Sequence, residues 1–334
     1  MSFVRTILGD VPADELKRCG AHEHIIIDAA YIAEKHPDFL LDDIEAACVD
    51  LGEFRDAGGG WVIDTMPTGA GRCSRKLAAA SQQSGIHIVC PTGLHLALYY
   101  RPDHPMLSMD QEELADVFVK EIAEGVCDDG VQLSYRAGVI KVAGGHGKLT
   151  PHQREAFAAA GEASRRTGCP IITHTEQGTA GEEQVNLLLS SGAHPTQVVL
   201  SHADRLPDIA YHRRLLSSGV TLEYDHHFRT YLKDGSCPTA DLIAALVPAF
   251  PNQIVVGMDL ARRGYWHGRG GRPGLVWLLT VLPKLLKERG VSDDLVERIL
   301  THNPRRAFTF ATASVETLSE DSIQDTNRDS DRDI

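Results

Sequence analysis

The sequence predicts a (β/α)8 barrel, and three observations support this fold class. Eight short apolar runs recur along the chain, and most are hydrophobic throughout, as strands buried on both faces of a parallel sheet are. Segments of helical character separate the runs, as in an alternating α/β fold. Polar residues suited to metal binding stand in or close to the ends of five runs. Strand counting alone leaves an open doubly wound sheet as the alternative.

The predicted strands and helices alternate in order along the chain. Strands are expected at residues 19–27, 61–66, 87–92, 138–142, 170–174, 198–202, 220–224 and 254–259. Helices are expected at residues 110–125, 152–168, 182–191, 207–217 and 274–288. Gly168 and Gly219 stand where two of these helices stop. Glycine there is typical of a helix C-terminus, because it adopts the left-handed conformation without strain.

The positions of six polar residues favour a closed barrel over an open sheet. They come from the first, fourth, fifth, sixth and eighth predicted strands. Only a closed barrel brings its first and last strands together around one point, at the carboxyl ends of the strands. The six residues are His22, His24, Lys141, His174, His202 and Asp259.

The last part of the chain changes character and predicts the domain boundary. From Ser314 onward the sequence has seven acidic residues, two arginines and no apolar periodicity. Such a segment buries too little apolar surface to fold alone. We therefore expect one barrel domain over residues 1–312 and a disordered acidic tail over residues 313–334.

The composition is that of a soluble globular protein and excludes several partners. Of 334 residues, 43% are hydrophobic and 24% are charged, and the net charge is −13. Nucleic acids and anionic membranes bind basic surfaces, so we expect neither as a partner. No run approaches the roughly 20 apolar residues of a membrane span, and the N-terminus has no signal-peptide core. Seven cysteines without a CxxC pair indicate reduced thiols and a cytoplasmic location.

The histidines and the aspartate have the spacing and setting of metal ligands. His22 and His24 are two apart on a strand, so both point to the same face. His174, His202 and Asp259 each close an apolar run. A buried imidazole or carboxylate is costly unless it is paired or coordinated, which favours a metal site.

Lys141 is the least ordinary member of the set. Burial disfavours its charge, and a neutral amine reacts with carbon dioxide to give a carbamate. The carbamate is an anionic oxygen ligand able to bridge two metal ions. The alternative is a lysine that reaches solvent or pairs with Asp259 or Glu23.

These residues stand in motifs that resemble one protein family. The motifs are HEH, the fourth-strand lysine, THTEQG, LSHADR, GMD and the closing THNPRRAF. Over residues 4–310 the chain resembles the phosphotriesterase-related branch of the amidohydrolase superfamily. That resemblance implies a binuclear metallohydrolase on a (β/α)8 barrel, often a homodimer.

The resemblance also implies roles for the six residues. His22, His24, Asp259 and carboxylated Lys141 would hold the buried metal ion, and Lys141, His174 and His202 the exposed one. A hydroxide would bridge two divalent ions, with zinc as the family default and manganese, cobalt or iron as other ions such sites accept. Asp259 would take the hydroxide proton and pass it to the leaving group.

Two loops after the last predicted strands are rich in basic and aromatic residues. Arg262 or Arg263 with Tyr265, helped by Arg229 or Lys233, would clamp an anionic group of the substrate. The alternative is a solvated loop with surface charges. The Arg and Tyr three residues apart are similar to those of family members that hydrolyse phosphorylated sugar lactones.

The predicted function is hydrolysis of a small lactone or ester, with a phosphorylated sugar lactone as the specific candidate. Its partner is then a small, anionic substrate. Phosphotriester hydrolysis and hydrolysis of N-acyl amino acids are the alternatives among enzymes. A metal-binding barrel without catalysis is the alternative from another class.

Overall fold

The computed structural model describes residues 2–311. Its strands are β1 (Phe3–Thr6), β2 (Gly9–Pro12), β3 (Arg18–Glu23), β4 (Gly59–Asp64), β5 (His87–Val89), β6 (Pro91–Leu94), β7 (Cys127–Asp128), β8 (Val131–Gln132), β9 (Val139–Gly144), β10 (Ile171–Thr175), β11 (Val198–Ser201), β12 (Thr221–Tyr224) and β13 (Ile254–Val256). The acidic tail predicted over residues 313–334 lies outside the described residues.

Helices follow the barrel strands and form the outer layer. They are α1 (Ala30–Lys35), α2 (Ile44–Asp56), α3 (Ser74–Ser84), α4 (Gln111–Ala123), α5 (Pro151–Thr167), α6 (Gly181–Ser190), α7 (Ile209–Ser217), α8 (His227–Asp234), α9 (Pro238–Leu246), α10 (Trp277–Thr280), α11 (Leu282–Lys287), α12 (Asp293–Glu297) and α13 (Asn303–Phe308). Within residues 2–311 no helix has the length and apolar character to cross a membrane.

Eight parallel strands close into a barrel, which confirms the predicted fold class. One run of strands is paired in the order β6, β9, β10, β11, β12, β13, and another in the order β3, β4, β5. β5 and β6 are consecutive pieces of one barrel strand, interrupted at Cys90. At the other seam the backbone N–H of Asp259 donates to the His22 carbonyl at 2.9 Å, which joins the last strand to the first.

The two ends of the barrel interior differ in chemistry. An apolar cluster that includes Val4, Trp61, Val139 and Phe308 fills the end where the strands begin. The antiparallel hairpin β1–β2 and helix α13 contribute to this plug, and the sequence did not predict the hairpin. Polar residues are left for the opposite end, where the strands finish.

Local signals explain where the predicted helices begin and end. Thr150 and Gln153 form a capping box at the start of α5, and Gly168 ends that helix with φ 72°. The helix predicted over residues 274–288 is instead divided into α10 and α11. Pro283 stands in the first turn of α11, where a proline is tolerated because that turn needs no N–H donor. The same missing N–H would break the hydrogen-bond ladder of one continuous helix.

Candidate metal centre

The six predicted ligands converge at the carboxyl-terminal mouth of the barrel. The ring centroids of His22 and His24 are 5.6 Å apart, and His202 lies 4.6 Å from both His22 and His174. Nε2 of His24 is 3.2 Å from Oδ1 of Asp259. One nitrogen or oxygen each of His22, His24 and Asp259 lie within 4.8 Å of one another, as ligands of one ion must.

Lys141 is fully buried beneath these imidazoles. Its Nζ lies 3.5 Å from Nε2 of His22 and 3.3 Å from the Thr173 carbonyl oxygen. Burial lowers the pKa of Lys141 to about 8, although nearby carboxylates act to raise it. The neutral amine, which is the form that reacts with carbon dioxide, is therefore easier to reach than in an exposed lysine.

Carboxylates behind the ligands orient two of the imidazoles. Asp225 Oδ2 lies 2.6 Å from Nδ1 of His202, and Glu176 Oε2 lies 3.0 Å from Nε2 of His174. These contacts leave Nε2 of His202 and Nδ1 of His174 for a metal ion. Burial lowers the pKa of His174 to about 4, so its imidazole is neutral and able to coordinate.

The sequence analysis missed the carboxylates that surround the ligands. Glu223 Oε2 is 3.6 Å from Nδ1 of His22, and Asp225 stands two residues after Glu223. Two acids at alternate positions of an otherwise apolar strand put both side chains on the face that His22 and His24 share. That spacing was a usable signal in the stretch TLEYD.

The buried atoms of this cluster fit divalent metal ions. Four of them have no hydrogen-bond partner among residues 2–311, namely Nδ1 of His22, Nδ1 of His24, Oε1 of Glu223 and Oδ1 of Asp225. Such atoms are rare in proteins because each loses its interactions with water. A set of imidazoles and carboxylates in this state suits zinc and related ions.

Asp259 has an unusual backbone and a strong partner. Its φ is +47°, in the left-handed region that residues other than glycine rarely adopt. Arg229 donates from Nη2 to Oδ2 of Asp259 at 2.9 Å. Burial acts to raise the pKa of Asp259, but Arg229 and the neighbouring imidazoles hold it well below its usual value.

A cavity of about 380 Å³ opens above the ligands and receives three of the predicted substrate residues. Arg262, Tyr265 and Arg229 line it. Arg263 and Lys233 are exposed and lie outside the lining, so the structure does not bring these two predicted residues to the site.

Further residues outside the predicted substrate set line the cavity. Arg205 stands three positions after His202 and reaches the cavity, and Glu176 and His226 also line it. Phe39 and Tyr99 form an aromatic wall, with ring centroids 6.2 Å apart. Nothing in the loop around Phe39 indicates a binding role, whereas the position of Arg205 in LSHADR was a signal that the sequence analysis missed.

Comparisons with known proteins show what this chain is similar to. A profile of the phosphotriesterase family matches residues 2–308. A phospho-furanose lactonase from Mycoplasmopsis synoviae is 30% identical, with 92% of each chain covered. An N-acetyltaurine hydrolase from Danio rerio is 26% identical, covering 92% of this chain and 98% of that protein. The crystal structure of a lactonase from Listeria monocytogenes has a TM-score of 0.85 and 29% identity, covering 93% of this chain and all of that one.

Proposed function

This chain belongs to the phosphotriesterase family and is an ester-hydrolysing enzyme, and we propose that it opens phosphorylated five-membered sugar lactones. The observation that carries this proposal is the basic rim of the cavity. Arg205, Arg262 and the phenol of Tyr265 all line the space above the metal ligands. The net charge of the chain is −13, yet arginines line the cavity through which a substrate would enter, so the local charge there favours an anion. The names of its relatives support the same substrate class.

The family has a binuclear metal centre, and we propose zinc as the ion in both positions. His22, His24, Asp259 and a carboxylated Lys141 would hold the buried ion, and Lys141, His174 and His202 the exposed one. Manganese, cobalt and iron are the other ions that this mixed N/O set accepts. When bound, two such ions lower the pKa of water towards 7 and polarise the lactone carbonyl.

The residues of the chain would supply orientation and proton transfer. The Asp259 carboxylate would accept a proton from the attacking water and return it to the alkoxide that leaves the opened ring. Arg205, Arg262 and Tyr265 would hold the substrate phosphate by charge-assisted hydrogen bonds. Phe39 and Tyr99 would keep water from the reacting carbonyl.

The test is steady-state hydrolysis of matched lactones by the metal-loaded enzyme. We expect kcat/KM for a phosphorylated lactone to exceed that for the same lactone without phosphate by about 100-fold, or about 2.7 kcal/mol of transition-state binding. Arg262→Ala should raise KM for the phosphorylated lactone by roughly 10-fold or more and leave the unphosphorylated one little changed. Arg263→Ala is the matched control, because Arg263 lies one position away and outside the cavity. Equal effects of both variants on both lactones would defeat the proposal.

A second candidate is hydrolysis of an amide with an anionic group, such as an N-acyl amino acid. The arginine rim would hold its carboxylate, and the similarity to an N-acetyltaurine hydrolase favours this alternative. Adding N-acyl amino acids to the panel distinguishes the two, since only one class should reach the higher kcat/KM. Neutral phosphotriesters fit the basic rim less well.

We also propose a cytoplasmic location and a homodimer. The seven cysteines are free thiols, four of them buried, which is the state expected in a reducing compartment. The homodimer remains a prediction, and the mass of the protein in solution, measured by light scattering, tests it.

A further inference from the structure

Arg229 is bonded to the backbone and side chain of Asp259. Its Nη2 donates to the Asp259 carbonyl oxygen at 2.6 Å and to Oδ2 at 2.9 Å. Its Nη1 donates to the carbonyl oxygens of Asp225 at 2.9 Å and Met258 at 3.3 Å. Each terminal nitrogen of a guanidinium has two N–H groups, so these four acceptors match the four terminal donors.

The guanidinium is also enclosed by aromatic rings. It lies 4.6 Å from the ring centroid of Phe228 and 5.5 Å from that of Tyr265. Its side chain is 20% exposed, whereas that of Arg262 is 48% exposed and pairs with Asp38, itself 53% exposed. Arg262 can exchange its partner for a phosphate at little cost, because exposed ion pairs contribute little. To bind a phosphate, Arg229 would have to break its hydrogen bonds to four acceptors.

The hydrogen bonds of Arg229 hold Asp259 in an unusual backbone conformation. With φ at +47°, Asp259 needs its surroundings to hold it in the left-handed region. Arg229 binds the carbonyl and the carboxylate of that one residue from the same nitrogen. Oδ2 is thereby held by the arginine, while Oδ1 is left 3.2 Å from Nε2 of His24.

We propose that Arg229 is a positioning residue for Asp259 and not part of the anion clamp predicted from the sequence. It selects which carboxylate oxygen faces the metal ligands and keeps the other in place. Arg205 and Arg262 then hold the anionic group of the substrate. This inference rests on the proposed function for its substrates, but the contacts of Arg229 that support it involve no substrate.

The experiment compares Arg229→Met, Arg229→Lys and, as the matched control, Arg263→Met. Kinetics are measured on a phosphorylated lactone and the same lactone without phosphate. We expect Arg229→Met to lower kcat on both lactones by the same factor, roughly 10- to 100-fold, with KM for the phosphorylated lactone nearly unchanged. Arg229→Lys keeps the charge but lacks the fork, so it should recover part of kcat. Arg263→Met should match the wild type.

A second readout does not depend on the substrate. In protein loaded with Co²⁺, the visible absorption spectrum reports on coordination, and we expect it to change in Arg229→Met but not in Arg263→Met. A selective rise of at least about 10-fold in KM for the phosphorylated lactone, with an unchanged spectrum, would show that Arg229 binds the anion. If the wild type opens neither lactone, the proposed function fails, and the spectrum still decides the role of Arg229. If the methionine variant does not fold, the lysine variant decides it by the same measurements.

Discussion

At the scale of single residues, Lys141 has buried surroundings that disfavour its charge, although nearby carboxylates favour it. It is completely buried, its amine faces His22 and the Thr173 carbonyl, and burial lowers its pKa to about 8. A protonated amine facing metal ions would be repelled by them. A carbamate would supply the oxygen ligands that the imidazoles lack.

Replacing Lys141 tests this role directly. Lys141→Ala should lose metal and most activity, because the proposed bridging ligand would be gone and a cavity would remain in its place. Acetate or propionate at millimolar concentration should restore part of both, since a small carboxylate fits that space. Metal content by mass spectrometry and kcat with and without the acid are the measurements. Full metal occupancy in Lys141→Ala without added acid would contradict a ligand role.

The same scale shows what the sequence could and could not reveal about the site. Positions at strand ends identified all six converging residues, because strand direction alone places them at one mouth. The arginines were harder. Arg229, Arg262 and Arg263 look alike in sequence, yet one is bonded to Asp259, one faces the cavity and one is exposed outside it. Side-chain direction in irregular loops depends on tertiary contacts that local pattern does not encode.

At the scale of elements, helix α2 holds the loop that carries Arg262 and Tyr265. The buried carboxylate of Asp50 accepts backbone hydrogen bonds from His267 and Leu275 at 3.2 Å and from Gly268 at 2.9 Å. A Cβ at Gly268 would collide with the Ala46 carbonyl, so the loop lies directly against the helix. The Asp50 side chain is thus hydrogen-bonded to both ends of the segment 267–275.

Removing the charge of Asp50 should loosen this loop. Asp50→Asn keeps the shape but removes the charge and replaces one of the two accepting oxygens by an NH2 group. At least one of the three N–H groups then loses its acceptor, at a cost of about 1.5–3 kcal/mol for each hydrogen bond to a charged group that is fully lost. We expect a lower melting temperature and a several-fold higher KM for the phosphorylated lactone, with kcat on the unphosphorylated lactone nearly unchanged. Asp56→Asn is the control, because Asp56 lies exposed on the same helix. A loss of stability with no change in KM would mean that the anchor does not shape the site.

The hairpin β7–β8 shows why some elements were not predicted. Its strands have two residues each, too few for a periodic pattern. Arg72 holds it from a distance, donating to Asp128 at 2.8 Å, to the Cys127 carbonyl at 2.9 Å and to Glu121 at 2.6 and 2.8 Å. The hairpin is therefore held by a buried arginine that lies more than 50 residues earlier in the chain. The local sequence of the hairpin contains no pattern that predicts this contact.

At the scale of the whole molecule, the strand order was predictable because each barrel strand is buried on both faces and reads as a continuous apolar run. The eight predicted strands all appear, with ends shifted by a few residues. Helices α1, α2, α3, α8, α9 and α12 lie outside the predicted helix ranges. Short helices such as α1 and α8 are stabilised mainly by packing on the barrel, and propensity alone does not reveal them.

Buried histidines should make the folded chain sensitive to acid. Burial lowers the pKa of His22, His95, His174, His212 and His227, the last to about 4. The unfolded state therefore binds more protons than the folded state between pH 6.5 and 4. Stability contributed by these neutral rings is present above pH 6.5 and is lost as the pH falls.

His227 tests this effect at a buried ring that is not itself a predicted ligand. Its ring donates to the Gly257 carbonyl at 2.9 Å, a contact that glutamine can imitate. Between pH 7 and pH 5 we expect the free energy of unfolding to fall by about 2 kcal/mol more in the wild type than in His227→Gln. Urea unfolding at the two pH values measures the difference. If the free energy of unfolding falls equally in both proteins, His227 does not contribute to the acid sensitivity.

Because the predicted ligands run from position 22 to position 259, the metal centre is also a late product of translation. At about 5–20 residues per second, roughly 10–50 s separate the emergence of His22 from that of Asp259 at the ribosome. In that interval the nascent chain has only partial ligand sets. The complete ligand set can therefore form only after the last strand has closed against the first, so we expect selection among ions to depend on the folded site rather than on the His22–His24 pair alone.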